Sequence, residues 1–306
     1  MSPSAKNRVA SILARLRNQA TEEGVSFNQV LQFYAIERFL WRLSQSSHAE
    51  SVVLKGALLL KTIGIPRARP TMDIDFLRKG RSDSASLIAL VRDCANIENG
   101  EDGISFDSKT ISAQAITKDA EYQGTRVRVA ARLGTVRLSV QIDFGVGDAV
   151  VPRPKLIEYP VLLNQAGLTI LAYPIEAVVA EKFQAMIELE AANSRMKDFY
   201  DVYTCSRHCD FEGGTLVRSL TATFKRRSTE LPIELPVAFT SAFFDDEAHL
   251  KQWRAFAQRI GEPELSDRFG PIVGDVASFL MPVAIAASRE KPFAQRWEAG
   301  GPWQAT

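Results

Sequence analysis

The sequence predicts an α+β protein in which helices flank a sheet core. Three observations support this class. Apolar residues recur at helical spacing over residues 6–45, short alternating segments fill residues 50–165, and helical spacing returns from Pro174 onward. We expect three parts: an N-terminal helical segment (1–48), an α/β core (49–168) and a C-terminal helical domain (169–306).

The first 45 residues predict two helices. The apolar spacing is interrupted at Glu23–Gly24, and Ser26 is a suitable N-cap for the second helix.

The middle of the chain alternates between strand and helix patterns. Residues 51–56 predict a strand that ends in Gly56, and residues 57–64 predict a short helix. The pattern continues with a strand at 72–77, a helix from Ser84, and an antiparallel pair of strands around a turn at Gly134–Thr135.

Two further helices are predicted in the C-terminal part. The first has Pro174 at its N1 position, and the second is capped by Asn193–Ser194.

Composition excludes several classes of protein. The 306 residues include 37 Lys+Arg and 36 Asp+Glu, so nucleic acid can be bound only through a local patch. Three cysteines are too few for a disulfide framework. The N-terminus lacks a signal-peptide pattern, and the most apolar stretch, residues 276–288, is shorter than a bilayer requires and contains Pro282. We expect a cytoplasmic protein with no membrane partner.

The strand MDIDFL (72–77) carries two acids on one face. Asp73 and Asp75 alternate with apolar residues, so their carboxylates project together, about 7 Å apart along the strand. A divalent cation would relieve their repulsion, whereas the alternative is the solvated face of an amphipathic strand. Asp143 ends the polar face of a later strand and can join this pair if the two strands are neighbours.

A lysine lies on an apolar helical stripe. Lys182 falls among Ile175, Val178, Val179 and Met186, where an ammonium group needs an anionic partner or must extend to solvent. A bound phosphate or the carboxylate group would supply that partner.

The order of these features favours one chemistry. Gly56 at a strand-to-helix turn lets backbone N–H groups approach a phosphate. Two Mg²⁺ ions held by three carboxylates, with a lysine on the triphosphate of an NTP, would suit nucleotidyl transfer.

Three stretches resemble the nucleotidyltransferase toxins of the AbiEii/AbiGii type, within the DNA polymerase β-like superfamily. They are LKGALLLKTIGIPRARPTMDIDF (54–76), VQIDFGVGD (140–148) and AEKFQAMIELEAANSRMKDFYDVY (180–203). The resemblance implies a polymerase β-like nucleotidyltransferase sheet core, dependence on Mg²⁺ and an NTP, and growth inhibition restrained by a cognate antitoxin. Some members of this family add nucleotides to the 3′ end of tRNA, which implies an RNA acceptor.

The resemblance also implies roles for individual residues. Asp73, Asp75 and Asp143 match the metal ligands, and Lys182 matches the triphosphate contact. The nucleotide-binding turn corresponds to Lys55, Gly56 and Ala57, where Ala57 replaces the glycine or serine usual in the family. Arg195 and Asp198 match the family's arginine and the first acid of its Asp-x-x-Asp element, whose second acid is Asp201; an ordinary first-turn acid paired with Arg195 explains Asp198 equally well.

Other functions fit parts of the same pattern. The core could modify a small molecule or a protein, or it could be a nucleotide-binding module without catalysis. A metal-dependent glycosyltransferase would explain Asp73 and Asp75 but neither Lys182 nor Asp143. The basic run Lys225–Arg227, with the N-terminal basic residues, could follow an RNA backbone, although a solvated surface run explains it more simply.

Overall fold

The structure is a computed structural model that describes residues 3–64, 69–119 and 122–305. Within these residues the chain divides into two compact units. The first contains residues 3–64, 70–147 and 155–172, and the second contains residue 69, 148–154 and 173–305. The N-terminal helices therefore belong to the same unit as the strands that follow them.

The first unit contains four helices and seven strands in the described residues. They are α1 (Pro3–Glu23), α2 (Phe27–Ser44), β1 (Val52–Lys55), α3 (Ala57–Leu60), β2 (Asp73–Arg78), α4 (Ser84–Ala95), β3 (Ile104–Asp119), β4 (Tyr122–Leu133), β5 (Val136–Val146), β6 (Lys155–Tyr159) and β7 (Leu168–Ala172).

The seven strands form one mixed sheet in the order β3-β4-β5-β2-β1-β7-β6. β2 is parallel to β5 and antiparallel to β1, and β4 and β5 form an antiparallel hairpin. One sheet face is apolar: Val127, Ile142 and Phe76 are buried, and the rings of Phe76 and Phe144 stack with centroids 5.9 Å apart. The fold is therefore the expected α+β class.

The N-terminal helices begin where the sequence predicts. The Ser26 hydroxyl accepts a hydrogen bond from the Gln29 N–H at 3.2 Å and caps α2. The short helix after Gly56 is α3, and a 3₁₀ turn over Lys61–Ile63 continues it to Gly64.

The second unit is mostly helical. Its elements in the described residues are α5 (Ile175–Leu189), α6 (Met196–His208), β8 (Phe211–Glu212), α7 (Gly213–Arg226), α8 (Ser241–Phe244), α9 (Glu247–Ile260), α10 (Phe269–Ser288), β9 (Gln295–Trp297) and β10 (Trp303–Ala305). An aromatic core holds it together, in which Trp253 stacks on Phe269 with centroids 4.8 Å apart.

Two predicted helix starts in this unit were wrong by one residue each. Pro174 is the N-cap of α5 and not N1, because its backbone is still extended (ψ 149°). α6 begins at Met196 and not directly after Asn193–Ser194, because the Asn193 side chain accepts the Arg195 N–H at 2.8 Å and closes a turn before the helix.

The apolar helix near the C-terminus is longer than expected. α10 spans 20 residues with Pro282 inside it, so it is long and apolar enough to cross a membrane by length and composition alone. Its most apolar window is 56% buried inside the protein, as is usual for a core helix.

Candidate active site

Three carboxylates share one face of two neighbouring strands. In the parallel pairing of β2 with β5, Asp75 lies directly opposite Asp143 and Asp73 lies opposite Gln141. The sequence left open whether these strands are neighbours, and the structure shows that they are. We call Asp73, Asp75 and Asp143 the carboxylate face.

The turn after β1 brings backbone against this face. Gly56 has φ +74° and ψ −159°, a region that essentially only glycine adopts. A Cβ at this position would lie 3.0 Å from the Asp75 Cβ and would overlap the Asp75 carboxylate. Glycine is therefore required here both by the backbone angle and by the close approach of Asp75.

The residues beside Gly56 differ in exposure. Lys55 pairs with Asp75 in the antiparallel register and is half-buried, and its Nζ lies 3.8 Å from the position a Cβ on Gly145 would take. Ala57, by contrast, is buried at the start of α3. Lys55 therefore places a positive charge beside the carboxylate face, whereas the small Ala57 side chain packs inside the protein.

Asp143 is held by an arginine that the sequence analysis did not select. Arg126 on β4 lies opposite Asp143, and its Nε and Nη2 donate to the two carboxylate oxygens at 2.8 and 2.9 Å. The Asp143 side chain is only 1% exposed. Hydrogen bonding to Asp143, with the nearby negative charge of Asp73 and Asp75, raises the pKa of Arg126.

A signal for Arg126 was present in the sequence. A hairpin with the two-residue turn Gly134–Thr135 pairs residue 133 with 136. Counting outward along both strands places 126 opposite 143. The strand register inferred from this turn would therefore have identified Arg126 as the partner of Asp143.

The carboxylate face suits a hard divalent cation at Asp73 and Asp75. Both are half-exposed, and the Thr71 hydroxyl donates to Asp73 Oδ1 at 2.6 Å and orients it. Asp143 could act as a third ligand only if its carboxylate gave up the hydrogen bonds from the Arg126 guanidinium and bound the metal instead. Within the described ranges, no three His, Cys, Asp or Glu side chains form a ready metal-binding group.

Lys182 lies in a buried ionic cluster of the second unit. Its Nζ donates to Asp198 Oδ1 at 2.9 Å and to Asp201 Oδ2 at 2.7 Å. Arg69 pairs with both oxygens of Asp201, and Arg195 donates to Asp198 at 2.6 Å. We call these five residues the lysine cluster.

The lysine cluster keeps its acids ionised. Burial opposes the charge of Asp198, yet the Lys182 ammonium and the Arg195 guanidinium lower its pKa to about 2. The pKa of Asp201 is lowered in the same way by Lys182 and Arg69, and the two carboxylates raise the pKa of Lys182 against its burial. The sequence predicted that Lys182 needs an anionic partner, and within this unit Asp198 and Asp201 supply it.

Comparison with known proteins places this chain in a family. The family model described as the AbiEii nucleotidyl transferase toxin of type IV toxin–antitoxin systems matches residues 38–275. The chain belongs to the AbiEii family. The matched range includes the carboxylate face and the lysine cluster. The AbiEii chain is therefore a toxin-type nucleotidyl transferase, for which the family implies an NTP substrate and an antitoxin partner.

Two solved structures are similar to the AbiEii chain. JHP933 from Helicobacter pylori is 14% identical, with 87% of this chain and 94% of that chain covered and a TM-score of 0.45. A protein of H. pylori described as a nucleotidyltransferase is 15% identical, with 87% and 97% covered and a TM-score of 0.46. Among curated proteins, none matches the chain.

Proposed function

We propose that the chain transfers NMP from an NTP to the 3′ hydroxyl of an RNA acceptor, releasing pyrophosphate, with tRNA as the acceptor class, and inhibits growth by doing so. The observation that carries the proposal is the placement of Asp73, Asp75 and Asp143 on one sheet face beside Gly56, in a chain of the AbiEii family.

The residues of the carboxylate face would hold the metal. Asp73 and Asp75 would hold a metal ion, and Asp143 would join them as a ligand for a second ion if its carboxylate separated from Arg126. Bound Mg²⁺ would neutralise phosphate oxygens and lower the pKa of the attacking hydroxyl. Gly56 leaves room for the Asp75 carboxylate against the backbone, and Lys55 adds a positive charge near these acids.

The lysine cluster supports a role in nucleotide binding. Three cations face two carboxylates, which leaves one positive charge in excess among these side chains. We propose Lys182 and Arg195 as contacts of the triphosphate. Asp198 then acts as a positioning residue, because both of its oxygens hold those cations in place.

Labelling tests the proposal. The protein is incubated with each α-labelled NTP, Mg²⁺ and a mixed tRNA preparation, beside Asp75→Asn. Asp275→Asn is the matched control, because Asp275 is an exposed acid on α10. We expect label in RNA with wild type and Asp275→Asn, and a loss of about 10³-fold with Asp75→Asn, the scale of a lost metal ligand.

Other outcomes contradict the proposal in distinct ways. Label in protein or in a small molecule would show that the acceptor is not RNA. Label in RNA that survives Asp75→Asn would show that the carboxylate face is not the active site. Growth that stops equally on expression of wild type and Asp75→Asn would show that toxicity does not depend on transfer.

A further inference from the structure

One sheet face carries exposed arginines beside the carboxylate face. Arg128 and Arg132 on β4 and Arg137 on β5 occupy the polar positions of their strands and are exposed. On the opposite face of β4, Val127, Val129, Ala131 and Leu133 are buried. We call Arg128, Arg132 and Arg137 the arginine face.

Two of these arginines oppose each other. Arg132 pairs with Arg137 in the β4–β5 register, and like charges directly opposite on neighbouring strands destabilise a sheet. Within residues 3–64, 69–119 and 122–305, neither forms an ion pair with a carboxylate. One exposed acid, Asp107, lies on the same face of β3, opposite Ala130. The three arginines and Asp107 together carry a net charge of +2.

The arginine face is continuous with the carboxylate face. Asp73 pairs with Gln141, and Gln141 pairs with Arg128, whose Nη2 donates to the Gln141 Oε1 at 3.1 Å. Neighbouring strands lie about 4.8 Å apart, so the backbone of Arg128 is about 10 Å from that of Asp73. The positive charge of the arginine face therefore starts on the strand next to that of Asp143, two strands from Asp73, and extends along the hairpin toward its turn.

We propose that the arginine face binds the sugar–phosphate backbone of the acceptor RNA and directs its 3′ end to the carboxylate face. The inference rests on the proposed function and names the surface that holds the acceptor. Acceptor phosphates lie on the guanidinium groups, and the terminal hydroxyl lies at Asp73 and Asp75.

The chemistry of the face favours an RNA backbone over an acidic protein. Guanidinium groups with intervening serine and glutamine side chains (Ser112, Gln114, Ser139 and Gln141) offer donors to phosphate and ribose oxygens. Protein interfaces are centred on large apolar or aromatic anchors. In the described part of the chain, the exposed large apolar side chains are Met72, Leu156, Ile233, Leu235 and Val237, none of which belongs to this face.

The test removes the two opposed charges. Arg132→Gln/Arg137→Gln is compared with Arg92→Gln/Arg289→Gln, which removes two exposed arginines from helices α4 and the end of α10. Binding to a fluorescein-labelled mixed tRNA preparation is measured by anisotropy at several salt concentrations. Losing two phosphate contacts should weaken binding about tenfold near 0.1 M salt and make the slope of log K against log salt shallower by about 1.5.

Kinetics give a second readout. We expect the KM for tRNA to rise about tenfold in Arg132→Gln/Arg137→Gln, with the KM for the NTP unchanged. Unchanged tRNA affinity and salt slope would overturn the inference. If Arg132→Gln/Arg137→Gln lowered the affinity for poly-glutamate but not for tRNA, the inference would also be overturned. The ligand of the arginine face would then be an acidic protein.

The two proposals fail separately. If wild type labels no RNA, the proposed function is wrong whatever the binding data show. If wild type labels RNA and Arg132→Gln/Arg137→Gln labels it with the same KM, only the inference about the arginine face is wrong.

Discussion

The carboxylate face and the lysine cluster are built from the same kinds of charged side chain but differ in exposure and in the balance of charge. On the sheet, Asp73 and Asp75 stay half-exposed, and three carboxylates face the two cations Lys55 and Arg126. Among the helices, Asp198 and Asp201 have no exposed surface, and three cations enclose them. Among these residues the first group has an excess negative charge, suited to a metal ion, and the second an excess positive charge, suited to a phosphate.

The difference in exposure also predicts which acids matter for the stability of the fold and which for ligand binding. A buried carboxylate that loses its partners is costly, whereas a half-exposed one is still solvated by water. The lysine cluster should therefore contribute strongly to folding, and Asp73 and Asp75 should contribute mainly to ligand binding.

Removing one acid from each group gives the largest expected contrast. Asp201→Ala removes the buried carboxylate that holds Arg69 through both of its oxygens and Lys182 through one, and should lower the free energy of unfolding by about 3–5 kcal/mol. Asp73→Ala should lower it by less than about 1 kcal/mol. Urea unfolding followed by circular dichroism measures both, and equal losses would contradict the comparison.

Gly56, beside the carboxylate face, and Gly64, at the end of the 3₁₀ turn after α3, form a matched pair. Gly56 and Gly64 both have positive φ, but a Cβ would overlap Asp75 at Gly56 and would have nothing within 4 Å at Gly64. Gly56→Ala should cost about 3 kcal/mol of unfolding free energy, from strain and overlap together. Gly64→Ala should cost about 1 kcal/mol.

The same two glycine variants also test Mg²⁺ binding at the carboxylate face. Gly56→Ala should weaken Mg²⁺ binding, measured as the rise in Tm on adding Mg²⁺, while Gly64→Ala should leave that rise unchanged. Identical stability losses for the two variants would show that contact with Asp75 is unimportant.

Substitution of Arg126 has the smallest expected effect and tests one role, that of Asp143 as a metal ligand. Arg126→Gln removes the guanidinium that competes with a metal for Asp143, so Mg²⁺ should bind about tenfold more tightly, about the strength of one charge-assisted hydrogen bond. Isothermal titration with Mg²⁺ measures this, with Arg126→Lys as the control that keeps the positive charge. Unchanged or weaker affinity would show that Asp143 is not a metal ligand.

Much of the sheet was predictable because its patterns are local. Alternation located β2, β4 and β5, and the turn at Gly134–Thr135 set the hairpin register. β3 was missed, because its alternation over Ile104–Asp107 is interrupted by an irregularity before Ser112 that shifts the register.

The candidate site was predictable only in part. Asp73 and Asp75 follow from strand alternation, but the pairing of β2 with β5 joins segments about 70 residues apart and needed the structure. The contact of Arg69 with Asp201 spans 132 residues and has no local signal. The expected pairing of Asp198 with Arg195 is present, but the full burial of Asp198 and its contact with Lys182 join two helices and needed the structure.

The hairpin register has a consequence for how this chain can vary. Strand residues alternate between sheet faces, so inserting or deleting one residue between Thr135 and Asp143 would send Asp143 into the apolar layer. Only a bulge or a change of two residues keeps it on the sheet face that carries Asp75. Chains that share this chemistry should therefore differ in the length of that segment by even steps.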